Sequence, residues 1–172
     1  RLEPEVLTQL ITEYLTEMSK IAIKWGGTID KFIGDAMLVF FGDPNSLGEK
    51  KDAIACVSMA VEMLEKLADL REVWKDRGVP KSLNARMGIH SGTCTVGNFG
   101  SEDRLDYTII GRGVNLASRL ESSSKPNRIL ISEDTRTLVK DHIISQKKEE
   151  IFVKGISYPV QTYEISSLIK DA

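Results

Sequence analysis

The stretch KFIGDAMLVFF at residues 31–41 limits the possible folds of this chain more strongly than any other. Two β-favourable runs, 28–33 and 36–41, are separated only by Gly34 and Asp35, a pattern that predicts a tight two-stranded hairpin. An acidic residue between apolar stretches is costly unless it turns the chain, pairs with another group or binds a cation. The role of Asp35 therefore bears directly on what the protein does.

The remaining pattern predicts an α+β fold. Helical periodicity indicates two long amphipathic helices, at 4–25 and 53–74. We expect a largely antiparallel sheet with these two helices packed on one of its faces. Shorter elements are predicted as helices at 114–121 and 133–139 and as strands at 84–90, 93–99, 128–132, 150–153 and 160–165.

The composition excludes several classes of protein. A chain of 172 residues suits one domain with a hydrophobic core, and a net charge of −2 gives no sign of a nucleic-acid surface. The two cysteines, Cys56 and Cys94, fit neither a metal motif nor a disulfide framework, so a cytoplasmic location is expected. The sequence contains no signal peptide and no apolar run long enough to span a bilayer, although a membrane anchor could lie outside these residues.

Five polar residues are candidates for chemistry, and each also has an ordinary structural explanation. Asp35 is either a turn residue or a ligand for a hard cation such as Mg²⁺. Lys31 is either a solvated side chain or a donor to a purine ring nitrogen. Asn115 and Arg119 share a helix face, where they either are surface residues or hold a sugar oxygen and a pentavalent phosphate. Lys154 contacts a phosphate or merely belongs to a turn.

Three segments together resemble a known family: GGTIDKFIGDAMLVFFGDP, RMGIHSGTCTVGNFGSEDRLDYTIIGRGVNLASRLE and FVKG. They are similar to the catalytic domain of class III nucleotidyl cyclases, in particular to adenylate cyclases of bacterial and cyanobacterial type. The resemblance extends over nearly all of residues 1–172 and implies a single catalytic domain with a ferredoxin-like core. It also implies a head-to-tail homodimer with the active sites at the interface.

The reaction implied by the resemblance converts ATP into 3′,5′-cyclic AMP and pyrophosphate. The ribose 3′-oxygen attacks the α-phosphorus in line with the leaving pyrophosphate, assisted by two Mg²⁺ or Mn²⁺ ions. By this resemblance Asp35 matches a metal-binding aspartate, and Asn115 matches the asparagine that orients the ribose. Arg119 matches the arginine that stabilises the transition state, and Lys154 matches the lysine on the terminal phosphates.

Two further residues match the family's base-reading positions. Lys31 occupies the position at which ATP-using members carry lysine and GTP-using members typically carry glutamate. An ammonium donates to adenine N1, whereas a carboxylate accepts from guanine N1–H. At the second position, the oxygen of Thr108 can accept a hydrogen bond from the adenine 6-amino group. The resemblance therefore implies that ATP is the substrate.

The sequence departs from the family at its start. The family's first strand carries F-x-D-I-x-x-F-T, which supplies another metal aspartate, and no such segment precedes Arg1. We expect the natural protein to contain it, because loss of a central strand would expose core and leave backbone groups unpaired. The alternatives are an impaired cyclase-like regulatory or dimerisation domain, or a guanylate cyclase. A diguanylate cyclase is disfavoured because IGDAM lacks that family's second glycine and second acid.

Overall fold

The computed structural model describes residues 3–79 and 83–170 and contains the predicted hairpin. Strands β1 (Thr28–Ile33) and β2 (Ala36–Phe40) are antiparallel, and Ile33 pairs with Ala36 across a two-residue turn. Gly34 has a φ of +62°, a conformation that glycine adopts without steric cost. The turn therefore places the Asp35 side chain at the exposed tip of the hairpin.

The described strands form three sheets, and the predicted α+β class is confirmed. Besides β1 and β2, the elements are α1 (Pro4–Lys24), α2 (Glu49–Asp76), β3 (Met87–Ile89), β4 (Thr95–Ser101), β5 (Arg104–Ile110), α3 (Arg112–Ser123), β6 (Ile129–Ser132), α4 (Glu133–Val139), β7 (Ile143–Lys147) and β8 (Thr162–Leu168). Two of the sheets are hairpins, β1–β2 and β4–β5, and the third has four strands in the order β3-β6-β8-β7. Antiparallel pairing prevails as predicted, but β3 and β6 are parallel.

Two strand predictions need correction, and one strand was not predicted. The strand expected at 84–90 shortens to β3, because Ala85 exchanges hydrogen bonds with Asn127 instead of joining the ladder. The strand expected at 150–153 is reduced to a single bridge between Ile151 and Val160. Strand β7 was missed because its sequence, IISQK, does not alternate between apolar and polar residues.

The four-stranded sheet is covered on both faces. All four residues of β6 are buried. Ile129 and Ile131 pack in one cluster with residues of α2 and α4, whereas Leu130 packs in another with Leu116 and Leu120 of α3. A strand buried on both faces reads as a continuous apolar run, which is why β6 shows no alternation. The helix α3 thus covers the face opposite to α2.

A separate apolar cluster fixes the β1–β2 hairpin beneath the two long helices. Met18 and Ala22 of α1 and Met63 of α2 are buried in it, and Ile29 and Val39 of the hairpin pack against it. The hairpin is therefore held by apolar contacts with α1 and α2. No helix in residues 3–79 and 83–170 has the length and apolar composition needed to cross a bilayer.

Glu164 on β8 makes the stability of the sheet depend on pH. Its carboxylate accepts a hydrogen bond of 2.7 Å from Arg128, and Lys148 lies 4.0 Å away. The Arg128 hydrogen bond, opposed by burial and assisted by the charges of Arg128, Lys148 and Lys125, lowers the pKa of Glu164. A lowered folded-state pKa stabilises the protein above the unfolded pKa, near 4.5, and this stabilisation is lost as pH falls through the folded value.

We expect Glu164→Gln to lower the melting temperature at pH 7 by about 2–4 °C, because it removes a charged partner from a partly exposed arginine. The difference from wild type should shrink as the pH falls below about 4.5, where the wild-type carboxylate also becomes neutral. Thermal melts between pH 7 and pH 3 measure both effects. Glu150→Gln, at an exposed position, is the control, and a difference that does not change with pH would contradict this role.

Candidate functional site

The helix α3 is held tightly against the sheet, which fixes the direction of its exposed face. Leu116 and Leu120 are buried beneath it. At Gly88 of β3 the helix backbone comes so close that an added Cβ would lie 2.2 Å from the amide nitrogen of Glu121 and 2.5 Å from the carbonyl oxygen of Ala117. Only glycine fits there, so Gly88 sets the height of α3 above the sheet.

Three of the predicted site residues lie on or beside this helix. Asn115 and Arg119 are both exposed on α3, one turn apart. Lys154 is exposed in a turn in which the Ile156 N–H donates to the Val153 carbonyl at 3.0 Å. Val153 packs in the same apolar cluster as the buried leucines of α3. The turn and the helix are therefore supported by one core, which leaves an amide, a guanidinium and an ammonium accessible to a ligand.

Asp35 lies at the hairpin tip, close to Tyr14 of α1. Burial raises the pKa of the Tyr14 phenol, and the charge of Asp35 raises it further. An accessible carboxylate is a suitable ligand for Mg²⁺ or Mn²⁺. Within the described residues, however, no group of three His, Cys, Asp or Glu side chains is placed to hold a metal ion. Asp35 therefore fits a metal as one ligand, not as a complete metal centre.

The two predicted base readers, Lys31 and Thr108, meet at a carboxylate that the sequence analysis overlooked. The Thr108 hydroxyl donates a hydrogen bond of 2.7 Å to Asp30 Oδ2, which also accepts from the Ile109 N–H at 3.0 Å. Lys31 Nζ lies 3.9 Å from Asp30 Oδ1. The Asp30 side chain is only 2% exposed, whereas that of Lys31 is 49% exposed. One buried carboxylate thus contacts both residues.

A β-bulge explains how consecutive residues reach the same place. Successive side chains of a regular strand point to opposite faces. Between Ile29 and Lys31 the register of β1 shifts, so that Asp30 has no partner on β2. Such a bulge redirects a side chain, and bulges are frequent beside active sites. An acid within the β-favourable run TIDKFI was the signal in the sequence, but the bulge itself was not visible there.

A second contact joins the hairpin to β5. The Tyr107 hydroxyl donates to Asp43, which follows β2, and the Tyr107 ring lies 6.5 Å from that of Phe40. The Thr28 hydroxyl donates to the Asp43 carbonyl at 2.8 Å. Neighbouring residues of β5, Tyr107 and Thr108, are therefore tied to two different aspartates. Residues 100–107 form the turn of this β4–β5 hairpin together with the strand residues on either side of it.

The structure brings some of the predicted residues together and leaves others apart. Lys31 and Thr108 share Asp30. Asn115, Arg119 and Lys154, here called the α3 group, lie on two segments that pack on the same apolar core beneath α3. In residues 3–79 and 83–170, no hydrogen bond or ion pair joins Asp35 to the α3 group. A cleft bordered by α3 and residues 156–158 has a volume of about 170 Å³. Pockets that enclose drug-sized ligands have volumes of roughly 300–1,000 Å³, so this cleft cannot enclose a nucleoside triphosphate.

Comparison with known proteins gives consistent matches. The family described as the adenylate and guanylate cyclase catalytic domain matches residues 1–167. An adenylate cyclase of Anabaena cylindrica is 33% identical over 172 residues, which cover 96% of this chain and 33% of that protein. The chain therefore spans about a third of the length of this curated relative.

Two solved structures extend the comparison to the fold. The adenylyl cyclase CyaB from P. aeruginosa is 56% identical and superimposes with a TM-score of 0.94, covering 100% of this chain and 88% of that one. The guanylyl cyclase Cya2 is 32% identical with a TM-score of 0.90, covering 98% of this chain and 84% of that one. The predicted architecture is thus shared with cyclases of both base preferences.

Proposed function

Because this chain belongs to the family of adenylate and guanylate cyclase catalytic domains, we propose that it is an adenylate cyclase domain that converts ATP into 3′,5′-cyclic AMP and pyrophosphate. The observation that carries the proposal is the meeting of Lys31 and Thr108 at Asp30. Lys31 offers a half-exposed donor, and Thr108, a residue that is 7% exposed, offers hydroxyl lone pairs; both lie next to Asp30. Adenine presents the complementary pair, an acceptor at N1 beside a donor at its 6-amino group. Guanine presents the reverse polarity on the same edge.

The α3 group supplies the rest of the chemistry. Arg119 carries a permanent charge with five N–H donors, which suits the extra negative charge on a pentavalent α-phosphorus. Asn115, one turn earlier on the same face, would orient the ribose so that its 3′-oxygen lies in line with the leaving group. Lys154 would bind the terminal phosphates. All three side chains are exposed and positioned by a rigid core, as catalytic positioning requires.

We assign Asp35 as one carboxylate ligand of a site for two divalent cations, Mg²⁺ or Mn²⁺. When bound, such cations would stabilise the charge on the attacking oxygen and on the pyrophosphate. The hairpin carries Asp35 at its tip, well exposed to a ligand that approaches from outside the chain. Asp35 would then be one of several carboxylates that such a site requires.

We propose that a second copy of this chain, arranged head to tail, completes each active site. The cleft beside α3 is too small for ATP, and Asp35 has no contact with the α3 group. Large apolar side chains are also exposed around the hairpin and the β4–β5 hairpin, namely Phe32, Ile33, Leu105, Tyr107 and Ile110. A partner that covers this surface would bring its own α3 to Asp35. We further propose a cytoplasmic location, which the two free cysteines favour.

The test is cyclic nucleotide production by the purified protein, with ATP and GTP in parallel and Mn²⁺ present. We expect cyclic AMP from ATP and much less cyclic GMP from GTP. Predominant cyclic GMP would contradict the base assignment and favour a guanylate cyclase.

A second candidate is an impaired cyclase-like regulatory domain, which the lack of a three-ligand metal cluster in the described residues favours. For this candidate, a folded and dimeric sample would form no product. Titration with Mn²⁺ and a non-reactive ATP analogue separates the two, because an impaired domain should show no binding that the metal strengthens.

A further inference from the structure

We propose that Asp30 is a positioning residue that sets the preference for adenine by fixing the polarity of both base readers. The inference rests on the proposed function, because it concerns the residues assigned there to the base. Asp30 is not itself expected to touch the nucleotide, since its side chain is only 2% exposed. It acts through Thr108 and Lys31, both of which it contacts.

Asp30 fixes the direction in which the Thr108 hydroxyl donates its proton. A threonine hydroxyl is ambivalent, because it has one proton to donate and two lone pairs that accept. An ionised carboxylate only accepts, so the 2.7 Å hydrogen bond to Asp30 consumes the hydroxyl proton. The lone pairs then remain for a ligand. Asp30 thereby makes Thr108 an obligate acceptor, which suits the 6-amino group of adenine and opposes O6 of guanine.

Asp30 is itself held in one orientation by two hydrogen bonds. Its Oδ2 accepts two hydrogen bonds, from the Thr108 hydroxyl and from the Ile109 backbone N–H. The backbone donor cannot rotate away, so the carboxylate is held in one orientation. Its other oxygen, Oδ1, faces Lys31 Nζ at 3.9 Å. The charge of Asp30 therefore favours positions of the half-exposed ammonium near the carboxylate that also binds Thr108.

Guanine would be mismatched with both base readers. With both polarities fixed, guanine would place its N1–H against an ammonium and its O6 against hydroxyl lone pairs. Each mismatch leaves buried polar groups without partners, which lowers kcat/KM for GTP by about tenfold or more. Without Asp30, the Thr108 hydroxyl can rotate and donate to O6, and much of this discrimination disappears. The buried acid therefore acts on the ratio of the two substrates more than on the rate of the reaction.

The experiment measures kcat/KM for ATP and for GTP with wild type, Asp30→Leu and Asp30→Ala, neither of which keeps an oxygen that can accept from Thr108. We expect the ATP:GTP ratio to fall about fivefold or more in Asp30→Leu, whose side chain has the same branching as aspartate, and about tenfold or more in Asp30→Ala. Thr108→Val should lower the ratio as well. Adding Asp30→Leu to Thr108→Val should then change the ratio less than Asp30→Leu changes it in wild type, because most of the effect of Asp30 passes through its hydrogen bond to Thr108.

Asp43→Ala is the matched control for a purely structural role. Asp43 ties the adjacent Tyr107 to the same hairpin, so its loss loosens β5 without altering the polarity of Thr108. We expect lower activity with both nucleotides and an unchanged ratio. If Asp30→Ala does not fold in a thermal melt, Asp30→Leu decides.

The role of Asp30 and the adenylate cyclase activity are contradicted by different results. An unchanged ratio in a folded Asp30→Leu, with wild type preferring ATP, would overturn the role of Asp30 alone. A similar fall of the ratio in Asp43→Ala would also overturn it. A wild type without preference for ATP would overturn the proposed function, and the role of Asp30 with it.

Discussion

Replacing Arg119 with alanine is expected to lower kcat for cyclic AMP formation by about a hundredfold to a thousandfold. The guanidinium would act on charge that exists only in the transition state, so binding of a non-reactive ATP analogue should change no more than a few-fold. The fold should be unaffected, because Arg119 is exposed and the buried side of α3 is formed by Leu116 and Leu120. Turnover and analogue binding, measured on the same sample, check both parts.

Arg86→Ala is the matched control, because it removes an exposed arginine that lies outside the candidate site. It should leave turnover close to wild type. If Arg119→Ala reduced analogue binding and kcat by equal factors, a role in ground-state binding would be indicated instead. A kcat within a few-fold of wild type would exclude Arg119 from the chemistry altogether.

The same variant tests the arrangement of the two chains. In the proposed dimer, each site combines Asp35 of one chain with Arg119 of the other. Asp35→Asn and Arg119→Ala should therefore each be inactive alone, yet mixing them should restore activity, because the mixed dimer has one intact site. Random pairing predicts about a quarter of the wild-type activity, since half of the dimers are mixed and each has one of its two sites. No recovery after exchange of subunits would contradict the head-to-tail arrangement.

The second large effect is expected from exchanging the base readers. Lys31→Glu together with Thr108→Cys should shift the ATP:GTP ratio of kcat/KM toward GTP by about a hundredfold, because the polarity of one reader is reversed and the other becomes a weak donor. The structure adds a further condition. The new glutamate would face the carboxylate of Asp30, and two neighbouring carboxylates repel each other.

Adding Asp30→Asn to this pair should therefore raise GTP turnover further, by about tenfold, through relief of that repulsion. Parallel assays with both nucleotides measure the ratio for each variant. Lys51→Glu reverses an exposed charge on α2 and is the control for a general effect of net charge. An unchanged ratio in the double variant would contradict the assignment of Lys31 and Thr108 as base readers.

Local sequence chemistry was sufficient for the elements that carry the site. The Gly34-Asp35 turn followed from two β-favourable runs separated by two residues, and α4 was predicted at its observed bounds. The short separation of Asn115 and Arg119 was enough to place both on one helix face. These features depend on neighbours within a few residues along the chain, so periodicity and turn chemistry reveal them. The roles of the residues came from the family resemblance, not from the pattern.

Features that depend on distant contacts were missed. The 84–90 segment looks β-favourable throughout, but its first residues bond to Asn127, some 40 positions later. The covering of both faces of the four-stranded sheet was also invisible, because Leu130 belongs to an apolar run whichever face it takes. Strand β7 exists because β8 pairs with it, not because IISQK favours a strand.

The sequence by itself determined the hairpin, the long helices and the identities of the six candidate residues, because each rests on local spacing or on a contiguous motif. Only the tertiary structure decided that Lys31 and Thr108, 77 positions apart, meet at one buried acid. That meeting requires a bulge in β1, which turns Asp30 inward, and the docking of β5 against the hairpin. Both result from packing between segments that are far apart in the sequence, so spacing and periodicity along the chain do not reveal them.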